Sequence, residues 1–121
     1  MSMKIKVSEA AISNAVKHTL IYAENLGKLV WFRNNVGKIA TRDNRYFQTG
    51  KKGFGDFIVG YFDKTTKPMV LRYCEVECKS STGKMSEVQS EHRNIVEVLQ
   101  GKYWLVNDKN LEEFEKWVLN L

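Results

Sequence analysis

The sequence predicts a mixed α/β fold, with helices covering a mixed β-sheet in the order αβββαβα. Three observations carry this reading. Apolar residues recur at helical spacing near both ends of the chain, two apolar runs in the middle are joined by a short polar turn, and a further helical pattern separates them from a last apolar run. With 121 residues, 43% hydrophobic and 12% aromatic, the chain has the length of one domain, residues 1–121, and the side chains for one core.

Ser8 suits the N-cap of a helix from Glu9 to about Leu26, because Ile12, Val16, Leu20 and Ala23 share a face and Gly27 can stop it. Leu29 to Arg33 reads as a strand, with Trp31 and Phe32 expected in the core. Residues 34–53 contain Gly37, Gly50 and Gly53 but no long apolar pattern, so a long irregular loop is expected there, of the kind that usually serves function. Phe57 to Phe62 is the second strand, and the polar turn Asp63 to Pro68 leads into the third, Met69 to Lys79, which pairs with it as a hairpin. Ser86 opens a helix to about Gln100 with Val88, Ile95 and Leu99 on one face, and Gly101 ends it. This crossover makes the short strand Tyr103 to Val106 parallel to its predecessor. A last helix, capped by Asp108 or Asn110, turns Leu111, Phe114, Val118 and Leu121 inward. His18 and His92 are expected on helix surfaces.

Several classes are excluded. No uninterrupted apolar run is longer than Leu29 to Phe32, which is far too short to span a bilayer, and Met1 to Lys6 has no apolar segment after its charges. A soluble, cytoplasmic chain with no membrane partner is expected. Cys74 and Cys78 lie in one strand, ~13 Å apart, too far for a disulfide. With only His18 and His92 besides, a zinc site lacks ligands, which leaves reduced, buried thiols.

The net charge is +5, and it is concentrated. Residues 28–52 carry Lys28, Arg33, Lys38, Arg42, Arg45, Lys51 and Lys52 against Asp43 alone, while the rest of the chain is close to neutral. Trp31, Phe32, Tyr46 and Phe47, with Asn34, Asn35, Asn44 and Gln48, are interleaved among these cations. Such a block offers phosphate contacts beside groups that stack on or hydrogen-bond to nucleotides, so a polyanion is the natural partner. A solvated basic loop is the plainer alternative.

Alternation along the third strand puts Tyr73, Glu75, Glu77 and Lys79 on one face and Cys74, Val76 and Cys78 on the other. Asp56 stands just before the second strand, so the hairpin should bring it beside Glu77. Two carboxylates ~4.5 Å apart repel by ~4 kcal/mol at an effective dielectric of 20, which a divalent cation would turn into attraction. Oxygen ligands without His or Cys favour Mg²⁺, or Mn²⁺, over zinc. Glu75 lies ~6.6 Å back along the strand and is read as a partner for a nearby cation rather than an auxiliary ligand.

These residues resemble the PD-(D/E)xK nucleases, whose signature is an Asp followed on the next strand by Glu-x-Lys, here Asp56 and Glu77-Cys78-Lys79. The resemblance narrows to the virus-type replication-repair nuclease (VRR-NUC) branch. Glu9, Trp31-Phe32-Arg33-Asn34-Asn35-x-Gly37, Gly53-x-Gly55-Asp56 and Lys84-Met85-Ser86-x-x-Gln89 fall in that branch's order over nearly the whole chain. One departure is Gly55, where the family usually has Pro. The resemblance implies the restriction-endonuclease-like fold, a metal held by Glu9, Asp56, Glu77 and the backbone carbonyl of Cys78, and Lys79 and Gln89 completing the catalytic set. It also implies a phage or bacterial replication and repair setting.

Each assignment has a plainer counterpart. Glu9 suits the first turn of any helix, and Ser86-x-x-Gln89 is itself a capping box. Lys79 also suits a solvated strand end, and Arg33 could pair with Glu75 or Glu77. The function expected is a metal-dependent, structure-selective DNA endonuclease similar to junction resolvases, acting on branched DNA as a homodimer. Arg33, Asn35, Lys38, Arg42, Arg45, Lys51 and Lys52 would contact the nucleic acid. A flap or sequence-specific duplex endonuclease, and a non-catalytic nucleic-acid-binding module, are the alternatives.

Overall fold

A computed structural model describes residues 6–121, so the reading of the Met1 to Lys6 segment lies largely outside the described residues. The elements are α1 (Glu9–Asn25), β1 (Leu29–Arg33), β2 (Gly37–Ala40), β3 (Tyr46–Thr49), β4 (Phe57–Asp63), β5 (Val70–Cys78), α2 (Glu87–Val98), β6 (Lys102–Val106) and α3 (Leu111–Leu119). The fold is mixed α/β, and its main sheet runs β1-β4-β5-β6. Its first three strands are antiparallel neighbours, and β6 joins β5 in parallel after the crossover through α2.

Local sequence accounts for most boundaries. The Ser8 side chain accepts from Ala11 N–H and starts α1, and Gly27, at φ +73°, supplies the left-handed residue that ends it. Ile12, Val16, Leu20 and Ala23 form the buried stripe of α1. That stripe packs with Phe114 and Val118 of α3 on the sheet face carrying Phe57, Val59, Cys74, Val76, Cys78 and Val106. Cys74 and Cys78 are free, buried thiols. Neither proposed residue caps α3 with its side chain. Asn110 takes the N-cap position, but its amide donates to Leu105 O at 2.7 Å and accepts from Asn107 N–H at 2.9 Å, tying β6 to the helix start.

Three expectations are corrected. Residues 34–53 are not an irregular loop throughout, because β2 and β3 pair within them as an antiparallel ribbon. Its turn is closed by Thr41 N–H donating to Arg45 O at 2.8 Å, with Asn44 at φ +61°. Every residue of β2 is exposed, so the strand needs no apolar alternation and gave no strand signal. Secondly, Val88, Ile95 and Leu99 of α2 are exposed, and Val96 is its buried residue. The helix covers polar side chains of β5, so its polar residues turn inward. Thirdly, Phe32 is 61% exposed, while Trp31 packs against the core with its ring 5.7 Å from Phe57.

Register explains the position of Phe32. Val30 faces Gly60 and Phe32 faces Ile58, while Phe62 faces Leu71, and cross-strand partners share a face. This is the face of Glu75 and Glu77, opposite α1 and α3. Val30, Phe32, Phe62 and Leu71 remain exposed on it. Among the described residues, no helix is long and apolar enough to cross a membrane.

Two phenylalanines one register step apart on opposite faces test this layering. Phe57→Ala should lose about 3–5 kcal/mol of unfolding free energy in urea titrations, whereas Phe32→Ala should stay within about 0.5 kcal/mol of the parent. Equal losses would mean that the faces are wrongly assigned.

Candidate active site

The hairpin brings Asp56 and Glu77 together by backbone register alone. Pairing of β4 with β5 ends at Phe57 opposite Val76, and the next step of the same register sets Asp56 opposite Glu77. Asp56 O accepts from Asn34 N–H at 2.8 Å, which fixes it on the β1 side. Its side chain then takes the place of a ladder partner, with Oδ2 accepting from Cys78 N–H at 2.7 Å.

Glu77 is 3% exposed and its Oε1 has two partners, Gln89 Nε2 at 3.0 Å and Lys79 Nζ at 3.4 Å. Gln89 serves two roles at once. Its Oε1 accepts from Ser86 N–H at 2.9 Å while the Ser86 hydroxyl accepts from Gln89 N–H at 3.2 Å. The capping box and the contact with the acidic pair therefore coexist, since each uses a different atom of one amide.

Burial is the main electrostatic cost. It pushes the Glu77 carboxyl up to about 7, with the neighbouring Asp56 charge raising it further, Lys79 opposing, and Glu9 adding a smaller push. Asp56 is also raised by burial, although the Cys78 N–H and the charges of Lys79 and Arg33 pull it back. A cleft of about 350 Å³ holds both carboxylates and Gln89 together with Arg33, Asn35 and Lys52. A larger, open depression of about 630 Å³ between α1 and α3 includes His18 and Glu115 but gathers no comparable cluster, so volume does not locate the chemistry here.

The basic segment surrounds this cleft unevenly. The Asn34 side chain donates to Lys51 O at 2.9 Å and accepts from Lys51 N–H at 2.8 Å, which clamps the base of the β2–β3 ribbon beside the acidic pair. Lys51 Nζ lies over the Phe54 ring at 5.3 Å. Lys38 is exposed on β2, and Arg42 and Arg45 are exposed at the ribbon's turn, where Arg45 meets Asp43 at 3.4 Å. Arg33 pairs with neither Glu75 nor Glu77 and instead lies over Phe57 at 5.7 Å.

Glu9 is exposed in the first turn of α1. Its charge acts on Glu77 and Cys78, but it does not gather with Asp56 and Glu77. Among the described residues, no three His, Cys, Asp or Glu side chains converge as a metal-holding group. The three acidic residues predicted to meet are thus a close pair and an outlying third. The close pair itself fits a hard divalent cation, because protein donors occupy only Asp56 Oδ2 and Glu77 Oε1 and leave oxygen donors alone to face the cleft.

The sequence reading missed His92. Instead of standing on the surface, it packs under α2 with Nε2 2.7 Å from Glu75 Oε2 and its ring stacked on Phe54 at 3.8 Å. The side chain that meets Glu75 is thus the His92 imidazole. The signal was present: Gln89, His92 and Val96 recur at three and four residues, and mark the inward face of α2. No protein-family model, curated protein or solved structure matches this chain.

The Glu77 carboxyl gives a pH dependence of known sign. Its native pKa lies above the ordinary 4.5, so the folded state holds an extra proton between about 4.5 and 7 and stability falls as pH rises through that window. The cost above pH 7 is on the order of 3 kcal/mol, and Asp56 adds in the same direction. In EDTA, calorimetric Tm values should fall from pH 5 to pH 8, and Glu77→Gln should flatten that fall and exceed the parent at pH 8. A Tm difference between the two proteins that does not change with pH would mean that Glu77 is not perturbed.

Proposed function

We propose that the protein is a metal-dependent DNA endonuclease of the PD-(D/E)xK, restriction-endonuclease-like kind, resembling the VRR-NUC branch and acting on branched DNA as a homodimer. The observation that carries the reading is the cleft in which Asp56 and Glu77, beside Lys79, meet Arg33, Asn35 and Lys52. The acidic oxygens in that cleft suit a cation, and the basic groups beside them suit phosphate.

Asp56, Glu77 and the Cys78 carbonyl would hold Mg²⁺ or Mn²⁺, with Glu9 adding negative charge from the start of α1. When bound, the cation supplies Lewis acidity and neutralises charge developing on the scissile phosphate. Lys79 Nζ, anchored to Glu77, orients a water molecule for in-line attack at phosphorus and stabilises the negative charge that builds there. Gln89 holds Glu77 in position from the first turn of α2. Arg33, Asn35 and Lys52 bind phosphates next to the scissile one, and Lys38, Arg42, Arg45 and Lys51 extend that contact along the exposed ribbon.

Selectivity for structure over sequence follows from this distribution. Nearly all candidate contacts are phosphate-binding cations, which measure the path of a backbone but read no bases. Two symmetric cuts at a four-way junction need two sites. The uncovered apolar face with Val30, Phe32, Phe62 and Leu71 suits a second copy.

Incubation with labelled four-way, flap and linear duplex DNA tests the reading directly. Mg²⁺-dependent nicking should be fastest on the branched substrates, and Glu77→Ala should slow it on the order of 100-fold or more. Binding of all three DNAs without metal-dependent nicking would instead indicate a non-catalytic binder. Replacing Lys51 and Lys52 together by Ala should weaken binding at low salt and flatten the salt dependence by up to about two units of slope. An unchanged slope would remove that end of the ribbon from the interface.

A further inference from the structure

Behind the acidic pair lies a carboxylate that the proposed chemistry does not use. Glu75 is fully buried, on the same face of β5 as Glu77. Its Oε1 accepts from Gly55 N–H at 2.7 Å, while Oε2 accepts from the Tyr73 hydroxyl at 2.6 Å and lies 2.7 Å from His92 Nε2. The Gly55 N–H and the Tyr73 hydroxyl thus donate to one oxygen each, and the His92 ring nitrogen stands within hydrogen-bond distance of the second. A buried carboxylate is tolerated when its oxygens are satisfied in this way, yet an apolar side chain of equal size would usually serve packing as well.

The partners of Glu75 indicate what it does. Gly55 and Phe54 belong to the turn that ends in Asp56, and this turn touches the Glu75–His92 pair twice. Gly55 donates its N–H to Glu75, and Phe54 stacks on His92 with centroids 3.8 Å apart. The turn also lies flush on β5, since a Cβ on Gly55 would come within 3.1 Å of both Glu75 Cβ and Val76 O. The backbone carrying Asp56 is thus held from below by two side chains distant in sequence. Pro, the residue the resembling family usually has before the Asp, has no N–H and could not make the bond to Glu75.

We propose that Glu75 and His92 are positioning residues, which fix the Gly53–Asp56 turn on β5 and so set the Asp56 carboxylate against the Cys78 amide and beside Glu77. The functional half of this inference rests on Asp56 and Glu77 being metal ligands. The structural half does not.

Three variants separate the roles. Glu75→Met keeps the volume and removes the acceptor, Glu75→Gln keeps an acceptor for Gly55 N–H, and His92→Phe keeps the stack on Phe54 and removes the polar contact. Amide hydrogen exchange in EDTA should accelerate about tenfold at Gly55 and Cys78 in Glu75→Met, with Val59 unchanged. Mn²⁺ affinity measured by calorimetry should fall about tenfold in the same protein. Glu75→Gln should recover most of both losses, and His92→Phe should show smaller changes of the same sign.

Unchanged exchange at Cys78 in a folded Glu75→Met protein would overturn the proposal, as would a Gln variant no better than Met. If Glu75→Met does not fold, His92→Phe decides by the same readouts, and parental values there overturn it. If the unmodified protein neither binds Mn²⁺ nor nicks DNA, the nuclease reading fails, while exchange at Gly55 and Cys78 still decides whether Glu75 holds the turn.

Discussion

A buried carboxylate, Glu77, set beside the half-buried Asp56 at the ends of adjacent strands, imposes the constraint around which the rest of this molecule is arranged. At the separation set by the strand spacing, like charges repel by ~4 kcal/mol at an effective dielectric of 20. The neighbours of Asp56 and Glu77 work against that repulsion one contact at a time: the Cys78 amide, the Lys79 ammonium and the Gln89 amide. A charge-assisted hydrogen bond contributes about 1.5–3 kcal/mol, so these contacts rival the repulsion but leave the desolvation of both groups standing. The raised Glu77 and Asp56 carboxyls express that remainder.

Strand alternation keeps this tension away from the core. On β5, Cys74, Val76 and Cys78 join the packed layer under α1 and α3, while Tyr73, Glu75, Glu77 and Lys79 point the other way. One strand thus serves as the wall of an apolar interior and as the floor of a polar one. Changes on the polar side need not disturb close packing on the other, because the pleat separates the two sets of side chains. The polar side has its own order, in which Glu75, His92, Tyr73 and Gly55 satisfy one another.

The helices α1 and α3 were legible in the sequence because each buries a periodic apolar stripe. Ile12, Val16, Leu20 and Ala23 illustrate this for α1, and Phe114 and Val118 for α3. The pairing of Asp56 with Glu77 was legible because hairpin register follows from chain order. The β2–β3 ribbon was not, since exposed strands have no reason to alternate. The inward face of α2 was misread for a related reason. Val88, Ile95 and Leu99 form the more apolar stripe, but the surface beneath the helix is polar and accepts Gln89 and His92 instead. Hydrophobic periodicity locates an interface only when both sides are apolar. Nor could spacing tell that Glu9 stands apart from the acidic pair, because helix-to-strand distances depend on packing rather than on sequence separation.

The doubly bonded amide of Gln89 narrows what substitution can do at that position. In an ordinary capping box Glu and Gln are interchangeable, since either presents an oxygen to the backbone N–H at the helix start. Here the second atom of the group must donate to Glu77, so a Glu would bring a third carboxylate to the pair, and Asn would be a methylene too short to reach both partners. Exchangeability that helix physics alone would allow is withdrawn by the strand beneath. The start of α2 and the geometry of the cleft therefore vary together or not at all.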